Sequence, residues 1–451
     1  MFLFLALFAA TIHFVLALFP FPDLDAFLNR PYGLVINDRN GAVLRVLPAA
    51  DGVKREWTPL NEIPSSVIKV FIQAEDRRFY FHPGVDFISV AGSASRNIKA
   101  GRIVSGASTI SMQLARLVRN HGAGMKGKIA EAFDALRLEA RLSKKEILEL
   151  WLNNIPFGSN IEGVAAMARA RFGRPVSALD DSRSALLAVV PRRPFLYDPA
   201  INPASAVRSA LALSERCRLA LSEEDLRVAA MEASVETVAK TFSGNTGFEK
   251  APFHAPHFTE RVAGMISASP PVHSINTTLD LKLQNYAEKL LESELALLSN
   301  NRVSNGAILA IDNATGDVRI YVGSSSWFND DASGKIDGVK ARAQPGSCLK
   351  PFLYALALDS GFTPADVIPD LPTVFGSREA YVPSNFNRRF NGPVRFRVAL
   401  ASSLNIPAVY LLERLGVGAF ENYLEKLGFV SIAETRGTHG TGLALGNAEV
   451  S

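Results

Sequence analysis

Cysteine is scarce in this chain: its 451 residues include two, Cys217 and Cys348, which lie far apart in the sequence. Such a pair excludes a disulfide framework, and no Cys-x-x-Cys or Cys/His spacing suggests a metal site. Net charge is also small, because the 48 basic residues are nearly balanced by 44 acidic ones, which gives a formal charge of +4. This balance gives no reason to expect nucleic acid as a partner.

Charged residues are absent from the stretch Met1–Pro22, which is apolar apart from Thr11 and His13. About 20 apolar residues are what a membrane-spanning helix requires. A cleaved signal peptide is the alternative, but it normally has a basic start and a small-residue cleavage site, which are missing before Asp23. We therefore expect residues 1–22 to be a membrane anchor, although the missing basic flank leaves its orientation open.

The length of the chain is sufficient for two or three domains. Two apolar runs around Asn40-Gly41 predict a β-hairpin, and a mainly helical pattern follows it. A segment rich in Gly, Phe, Lys and Pro at 241–256 predicts a loop. We place a helical domain with its following helices at 33–240, a linker at 241–270 and a second domain at 271–451.

Chemically useful side chains are concentrated in the stretch from Glu75 to Gln113. It begins with four such residues: Glu75, Asp76, Phe79 and His82. A carboxylate beside aromatic groups can have a raised pKa that suits general acid–base chemistry. Ser108 and Thr109 precede an apolar helical pattern, where hydroxyls and free N–H groups suit a phosphate. On this chemistry alone, an acidic surface turn followed by an ordinary helix N-cap fits equally well.

A further helix is predicted after residue 125. Ile129, Phe133, Leu136 and Ala140 recur at helical spacing, and we expect them to face a core. Glu131 points away from that stripe. It is therefore either a solvated surface carboxylate or one that faces a cleft.

These residues resemble the signature motifs of the family 51 peptidoglycan glycosyltransferases. The pattern Glu-Asp-x-x-Phe-x-x-His-x-Gly-x-Asp begins at Glu75, and Gly-x-Ser-Thr-Ile-x-x-Gln begins at Gly106. The third motif, Lys-x-x-Glu, corresponds to Lys128 and Glu131, and the fourth corresponds to residues 144–153. The four motifs occur in the family's order.

Three departures from the family pattern are visible. Gly127 replaces the arginine of the third motif, Met112 replaces the first of two glutamines, and Arg116-Leu117 replaces Lys-Asn. They fit the 1C branch of the class A penicillin-binding proteins. Gly127 leaves one phosphate contact open, for which Lys126 or Arg119 are the available substitutes.

The resemblance implies a lysozyme-like helical domain that joins lipid II units and releases undecaprenyl diphosphate with inversion. It implies that Glu75 is the general base for the acceptor 4-hydroxyl and that Glu131, the other catalytic carboxylate, assists at the diphosphate or the developing cation. Ser108, Arg116 and Lys128 would hold the diphosphate. The implied substrate-binding residues are Asp76, Phe79, His82, Ser108, Thr109, Gln113, Arg116 and Lys128. A divalent cation, Mg²⁺ or Mn²⁺, is expected at this site, with its ligands unknown.

The second domain carries Ser347-x-x-Lys350 after a predicted hairpin (307–323) and a Pro-Gly turn. Serine at a helix start with an amine one turn later can be activated as a nucleophile. Ser403-x-Asn405 follows, and the pair of motifs resembles the penicillin-binding transpeptidases. By this resemblance Ser347, Lys350, Ser403 and Asn405 are catalytic. Cys348 is expected to be a buried small residue.

The third motif of those transpeptidases, Lys-Thr-Gly or Lys-Ser-Gly, does not follow Asn405. We therefore expect a domain that is truncated at its C-terminus and acylates poorly with penicillin. The expected fold class is a mainly α glycosyltransferase domain followed by an incomplete α/β penicillin-binding (serine transpeptidase/β-lactamase-like) domain, with an N-terminal membrane helix.

The expected location is the bacterial inner membrane, with the catalytic domains in the periplasm. The expected partners are lipid II, the growing glycan strand, the inner membrane and other cell-wall enzymes. Two alternatives stay open: a non-catalytic envelope scaffold that binds glycan or partner enzymes, and a muramidase. The scaffold is disfavoured because it would need neither Glu75 nor Glu131.

Overall fold

Two compact units make up the protein in the computed structural model. The first comprises residues 1–289 and 310–321, and the second comprises 290–309 and 322–451. The residues that the structure describes are 11, 14–18, 20–102, 106–122, 124–233, 252–266, 272–301, 303–375 and 381–451. Most of the predicted anchor (1–22) and much of the predicted linker (241–270) lie outside them. Among the described residues, no helix is long and apolar enough to span a membrane.

The chain up to residue 266 is mainly helical. Its helices are α1 (Pro22–Leu28), α2 (Ser65–Glu75), α3 (Phe87–Ala100), α4 (Ile110–Val118), α5 (Gly124–Glu139), α6 (Lys144–Asn154), α7 (Val164–Phe172), α8 (Asp181–Val189), α9 (Pro194–Tyr197), α10 (Pro203–Cys217), α11 (Glu223–Ala233) and α12 (Pro256–Met265). Further helices are α13 (Leu281–Leu297), α14 (Lys350–Asp359), α15 (Phe396–Ala401), α16 (Asn405–Leu415), α17 (Val417–Lys426) and α18 (Val430–Glu434).

Within the described residues, the strands are short and form four small sheets. They are β1 (Leu34–Asn37), β2 (Val43–Leu47), β3 (Lys54–Arg55), β4 (Pro156–Gly158), β5 (Ile161–Glu162), β6 (Ser274–Asn276), β7 (Ile308–Ile311), β8 (Val318–Val322), β9 (Val367–Asp370) and β10 (Gly392–Arg395). The sheet orders are β2-β1-β6, β3-β5-β4, β7-β8 and β9-β10. β1 is antiparallel to β2 and parallel to β6.

Both predicted hairpins are confirmed. In the first, Asp38 accepts hydrogen bonds from the Asn40 and Ala42 N–H groups, each at 2.8 Å. Gly41 has a φ of +84°, a conformation that glycine adopts without steric cost. The second hairpin pairs β7 with β8 around Gly316.

Side-chain caps start the helices that carry the site. The Thr109 hydroxyl accepts a hydrogen bond from the Met112 N–H at the start of α4, and Asp86 accepts one from the Ser89 N–H at the start of α3. Ser143-x-x-Glu146 predicts a capping box, and both of its reciprocal bonds are present at the start of α6. Such caps satisfy N–H groups that a helix cannot pair internally.

The predicted core stripe of α5 is wrong at Ile129 and Phe133, although Leu136 packs against the core. Ile129 and Phe133 are 64% and 51% exposed, whereas Glu131 and Asp134 are buried. Gly127 is also buried, and a Cβ there would overlap the Gly122 carbonyl. The inward face of the helix therefore combines Leu138 with small and charged residues, and hydrophobic periodicity cannot reveal the charged ones because ion pairs stabilise them.

Each unit has its own apolar core. The core of the first surrounds Trp151 and Phe71, with the small residues of α7 and α8 buried almost completely. The core of the second is built by α14, α16 and α17 around Tyr354 and Phe420. Separate cores are what two domains require.

Candidate functional site

Asp76 is the buried residue that joins the first two motifs. Its carboxylate accepts a hydrogen bond from the Ile110 N–H at 3.0 Å and lies 3.0 Å from His82 Nε2. The Gly84 N–H donates to His82 Nδ1 at 3.2 Å, so Nε2 carries the proton that faces Asp76. The Thr109 hydroxyl donates to the Gly84 carbonyl. These bonds hold the first motif against the start of α4.

Phe79 lies beneath this loop and is completely buried. The Lys144 amine is 4.4 Å from the centre of its ring, and it donates to the His82 carbonyl and to Glu139, each at 2.7 Å. The contacts of Phe79, His82 and Asp76 are therefore with the protein. Their expected role in substrate binding stays a prediction.

Glu75 is the last residue of α2 and is 11% exposed at its side chain. One carboxylate oxygen, Oε2, accepts a hydrogen bond from Gln113 Nε2 at 2.9 Å, and the other, Oε1, accepts one from Arg192 Nε at 3.0 Å. Gln113 is in turn held by Trp151, whose indole N–H donates to it at 3.2 Å. Each oxygen keeps a lone pair for a further donor.

Glu131 is 3% exposed and lies among cations. Lys128 donates to it at 2.7 Å, and Arg116 donates to both of its oxygens at 2.9 and 3.3 Å. Burial alone would raise the pKa of Glu131, but the bonds from Lys128 and Arg116 outweigh it and lower the pKa below its usual value. Lys128 also donates to the Ser108 hydroxyl at 3.2 Å. The structure thus brings together the expected catalytic carboxylate and the three expected diphosphate ligands.

A cleft of about 680 Å³ opens beside Glu75 and contains Ser108 and Thr109 in its wall. Five arginines line it: Arg77, Arg78, Arg96, Arg192 and Arg216. None of them was among the site residues expected from the sequence. Arg192 lies in a one-turn helix, Val190–Arg192, and donates to Glu75 from 117 positions away. The Pro191-Arg192-Arg193-Pro194 string was a visible basic signal, but nothing local connects it to Glu75.

Lys350 is the centre of the site in the second unit. It is 1% exposed, and its amine donates to the Ser403 carbonyl at 2.6 Å, the Ser403 hydroxyl at 3.2 Å and Asn405 Oδ1 at 2.7 Å. Burial lowers the pKa of Lys350 to about 8. Ser347 is exposed, on the short helix Gly346–Leu349 that leads into α14. The Lys350 amine therefore connects the Ser347-x-x-Lys350 motif with the Ser403-x-Asn405 motif.

Asn385 contacts this site and was not among the residues expected from the sequence. Its amide donates to the completely buried Asp370 at 2.8 and 3.0 Å, and its oxygen accepts from the Asn405 N–H at 2.8 Å. Asn405 also donates to the Ser384 carbonyl. This network fixes the side chain that receives the Lys350 amine.

Two residues beside Ser347 complete the picture. Gly446 has a φ of +74°, and a Cβ there would overlap the backbone of Gly346, so only glycine fits behind the serine. Cys348 is exposed, so the expectation that it is buried is wrong. Its position on the short helix faces it away from the core that Leu349 enters.

Metal ligands do not converge in the part of the chain that the structure describes, where no three His, Cys, Asp or Glu side chains form a group that could hold an ion. The carboxylates of the first site already have cationic partners: Arg192 for Glu75, and Arg116 and Lys128 for Glu131. These residues do not supply a metal site by themselves.

Two known families match the chain. The transglycosylase family matches residues 40–218, and the penicillin-binding protein transpeptidase domain matches residues 306–438. The first match contains Glu75 and Glu131, and the second contains Ser347, Lys350, Ser403 and Asn405. A helical transglycosylase domain is thus followed by an α/β transpeptidase domain.

The chain is also similar to named penicillin-binding proteins. Penicillin-binding protein 1C of Escherichia coli K12 is 34% identical over 415 residues, which are 92% of this chain and 52% of the relative. Penicillin-binding protein 2D of Bacillus subtilis 168 is 34% identical over 371 residues, 79% of this chain and 52% of the relative. The chain spans about half the length of these relatives. It belongs to the class A penicillin-binding proteins, in which a transglycosylase domain precedes a transpeptidase domain.

Among solved structures, penicillin-binding protein 1A from Haemophilus influenzae covers 94% of this chain and 66% of its own, with 19% identity and a TM-score of 0.46. That TM-score is too low to add to the family assignment.

Proposed function

We propose that the first domain is a peptidoglycan glycosyltransferase that polymerises lipid II into glycan strands and releases undecaprenyl diphosphate. One observation carries the proposal: Glu131, Lys128, Arg116 and Ser108 form a connected cationic group on α4, α5 and the turn before α4, in the same domain as the Glu75 cleft. A base beside a group that can hold a diphosphate is what transfer from a lipid diphosphate needs.

The reaction places each residue in a role. Glu75 removes the proton of the acceptor 4-hydroxyl. The hydroxyl oxygen bonds to the anomeric carbon of the donor, and the bond from that carbon to the diphosphate oxygen breaks. A well-placed general base contributes about 10²–10⁴-fold. Gln113 and Arg192 orient the base by donating to its two oxygens.

Ser108, Arg116 and Lys128 bind the leaving diphosphate. Arg116 and Lys128 are 47% and 45% exposed at their side chains, so they can reach a ligand without breaking the protein core. Charge-assisted bonds to developing negative charge stabilise the transition state. Glu131 holds the two cations in place and keeps its own charge because its pKa is lowered.

The second domain is proposed as the penicillin-binding part, with Ser347 as nucleophile and Lys350, Ser403 and Asn405 as its catalytic partners. A lysine with its pKa lowered to about 8 can accept the serine proton near neutral pH. In a domain that acylates poorly, slow and incomplete labelling by a fluorescent penicillin that disappears in Ser347→Ala would support this role, and equal labelling of the variant would contradict it.

Membrane attachment is proposed for the N-terminal stretch, with the catalytic domains in the periplasm and other cell-wall enzymes as partners. Several exposed apolar side chains near α3 support contact of the first domain with a lipid surface. Their exposed fractions are large: Phe81 85%, Ile98 80%, Ile88 71% and Phe87 65%. Loss of the full chain from membranes on alkaline carbonate washing would contradict the anchor.

The expectation of Mg²⁺ or Mn²⁺ stays a proposal. The described residues form no ligand group for such an ion, and the roles given above are therefore assigned to side chains alone. Polymerisation that continues at full rate after chelation would contradict the requirement.

The test is polymerisation of fluorescent lipid II in detergent by the protein and by Glu75→Gln. We expect long glycans from the first and a loss of at least about 100-fold in the variant. Glu62→Gln, an exposed glutamate in the same domain, is the matched control and should be fully active.

The other outcomes separate the alternatives. Binding of lipid II without any product from either protein would favour the envelope scaffold. Shortening of a preformed glycan would favour a muramidase, which must admit water where the polymerase admits a sugar hydroxyl.

A further inference from the structure

A buried ion pair in the second unit lies outside the site described above. Glu421 on α17 is 3% exposed at its side chain, and the His439 side chain beside it is 6% exposed. His439 Nδ1 lies 2.9 Å from Glu421 Oε1. The same oxygen accepts a hydrogen bond from the Gly437 N–H at 3.0 Å. The carboxylate therefore fixes two residues of one turn against α17.

Both ring nitrogens of His439 have partners. Nε2 lies 3.0 Å from the Thr435 hydroxyl oxygen. That hydroxyl donates its single hydrogen to the Ser431 carbonyl at 2.8 Å, so towards the ring it is an acceptor. Nδ1 faces the Glu421 carboxylate, which also accepts. The ring therefore donates at both nitrogens, as an imidazolium does, and these charge-assisted bonds fix its orientation from two sides.

His439 begins a segment, residues 439–450, that supports the backbone leading to Ser347; it is called the backing segment below. Gly446 lies so close to Gly346 that a Cβ on Gly446 would overlap the Gly346 backbone. Gly346 directly precedes Ser347. A shift of Gly446 towards Gly346 therefore has to move the nucleophile, because closely packed backbone atoms transmit displacement.

The backing segment has two further contacts near the catalytic residues. Val450 and Ala343 exchange backbone hydrogen bonds in both directions, each at 2.9 Å. The short helix Gly440–Leu445 packs on α16, the helix that begins at Asn405. Its Leu443 is completely buried in the core of the unit. The backing segment is thus in contact with the carriers of both transpeptidase motifs.

Asn447 connects the position of His439 to the glycine contact. Its side-chain amide donates to the His439 carbonyl at 2.9 Å, which closes the backing segment into a loop. Gly446 directly precedes Asn447 in the chain. The contacts are therefore continuous from Glu421 to the backbone beside Ser347.

A second ion pair joins the same two elements at the surface. Arg436 donates to Glu425 at 2.8 Å, and the two side chains are 49% and 48% exposed. Exposed pairs contribute little, because water and salt screen them. Glu425 is one turn after Glu421 on α17, so the two glutamates differ in burial and in partner. Glu425 is therefore a matched control for Glu421.

Resting on the penicillin-binding function proposed for the second domain, we infer that Glu421 and His439 are positioning residues for Ser347. They fix the backing segment, which holds the serine relative to Lys350. In acylation the Ser347 oxygen bonds to the β-lactam carbonyl carbon, the ring C–N bond breaks, and the serine proton passes through Lys350 to the ring nitrogen. Displacing a nucleophile by a fraction of an ångström slows such a step strongly.

Saturation kinetics with a fluorescent penicillin test the inference on the full chain. Labelling rates at several concentrations give a maximal rate and a half-saturating concentration. We expect His439→Gln and Glu421→Gln to lower the maximal rate by at least about tenfold. The half-saturating concentration should change less than about twofold, because the substrate contacts stay in place. Glu425→Gln should change neither value. An unchanged maximal rate in both buried variants would overturn the inference.

The double variant Glu421→Gln/His439→Gln tests the two residues as a unit. Its two amides can form a neutral hydrogen bond and leave no unpaired buried charge. We expect it to be labelled no more slowly than the slower single variant, because both substitutions break the same connection. Effects that multiply in the double variant would overturn the pairing.

Asn447→Ala tests the path at an exposed residue, where the substitution leaves the apolar core intact. Loss of the bond to the His439 carbonyl should lower the maximal labelling rate by about threefold. A rate equal to that of the unmodified protein would overturn the path through the backing segment.

Hydrogen exchange measures the same coupling without acylation. We expect the amides of residues 346–350 to exchange faster in His439→Gln, with exchange at 353–357 in the core of α14 unchanged. Equal acceleration in both ranges would mean that the pair only stabilises the domain, and no acceleration at 346–350 would break the path; either result would overturn the inference. An unmodified protein that takes no label would contradict the proposed function of the domain instead, and the exchange result would still decide the inference.

Discussion

Glu131 in the first unit and Lys350 in the second are both buried ionisable side chains, 3% and 1% exposed. The protein surrounds them in different ways. Glu131 faces two cations, Arg116 and Lys128. Lys350 faces three neutral oxygens, from the Ser403 carbonyl, the Ser403 hydroxyl and Asn405.

The comparison shows that the charge of the neighbouring groups decides whether the effect of burial on a pKa is overcome or stays unopposed. Cationic partners overcome the effect of burial on Glu131 and lower its pKa, so the carboxylate stays charged. Neutral partners leave burial unopposed at Lys350 and lower its pKa to about 8, so the amine gives up its proton more easily. A permanent charge suits a group that holds cations in place, and a labile proton suits a group that activates a serine.

The largest expected effect comes from removing the charged centre of the first site. Glu131→Ala should reduce glycan polymerisation by about 100-fold, because Arg116 and Lys128 lose the carboxylate that positions them. Stability should fall by only about 1 kcal/mol, since both cations are partly hydrated. Polymerisation of lipid II and thermal unfolding measure the two effects, with the exposed Glu224→Ala as control. A large loss of stability with unchanged polymerisation would show that Glu131 is purely structural.

An intermediate effect is expected from the neutral network of the second site. Asn385→Ala removes the donor to Asp370 and the acceptor for the Asn405 N–H, which should lower the free energy of unfolding by about 1–3 kcal/mol. Denaturant unfolding of the chain measures it. Asn387→Ala, at an exposed asparagine two residues away, should change stability by less than about 0.5 kcal/mol. Similar effects of the two substitutions would mean that the network contributes nothing specific.

The smallest expected effect is a pH dependence of stability. It arises from a buried carboxylate in the first unit and from a buried amine in the second. Because the folded pKa of Glu131 is lowered, its contribution to stability is present above the unfolded value of about 4.3 and is lost as pH falls through the folded pKa. The difference in stability between the protein and Glu131→Gln should therefore shrink on acidification below about pH 4.3.

The alkaline side of the same prediction concerns Lys350. Between its folded pKa of about 8 and the unfolded value of about 10.4, the unfolded chain binds more protons, so stability should rise with pH. Lys350→Met should remove this rise. Thermal unfolding from pH 3 to pH 5 and from pH 7 to pH 10 checks both sides, and a parallel pH dependence in either variant would break the comparison.

Local sequence signals were sufficient for several parts of the fold. The Asn40-Gly41 turn and the capping box at Ser143 are both confirmed. Each depends on hydrogen bonds or side-chain patterns within a few residues, which is the range that a sequence shows directly. The motif residues themselves were visible for the same reason.

Sequence patterns did not predict the contacts between residues that lie in different segments of the chain. The stripe from Ile129 to Ala140 has the helical period, but α5 buries Glu131, which pairs with Arg116 on α4. Nothing near Arg192 in the sequence indicates that it reaches Glu75, and nothing near Asn385 indicates that it fixes Asn405. Spacing alone does not select a partner, whether it lies 117 positions away, as for Arg192, or 20, as for Asn385.

By itself, the sequence determined the local elements and the chemical groups: two hairpins, the capped helices, the carboxylates Glu75 and Glu131, and the Ser347–Lys350 and Ser403–Asn405 motifs. The tertiary structure alone decided the environment of each group: which cations neutralise Glu131, which neutral oxygens surround Lys350, and which arginines gather beside Glu75. The physical reason is that a pKa or a binding site depends on burial and on charges within a few ångströms, and folding sets those distances between segments that are far apart in the chain.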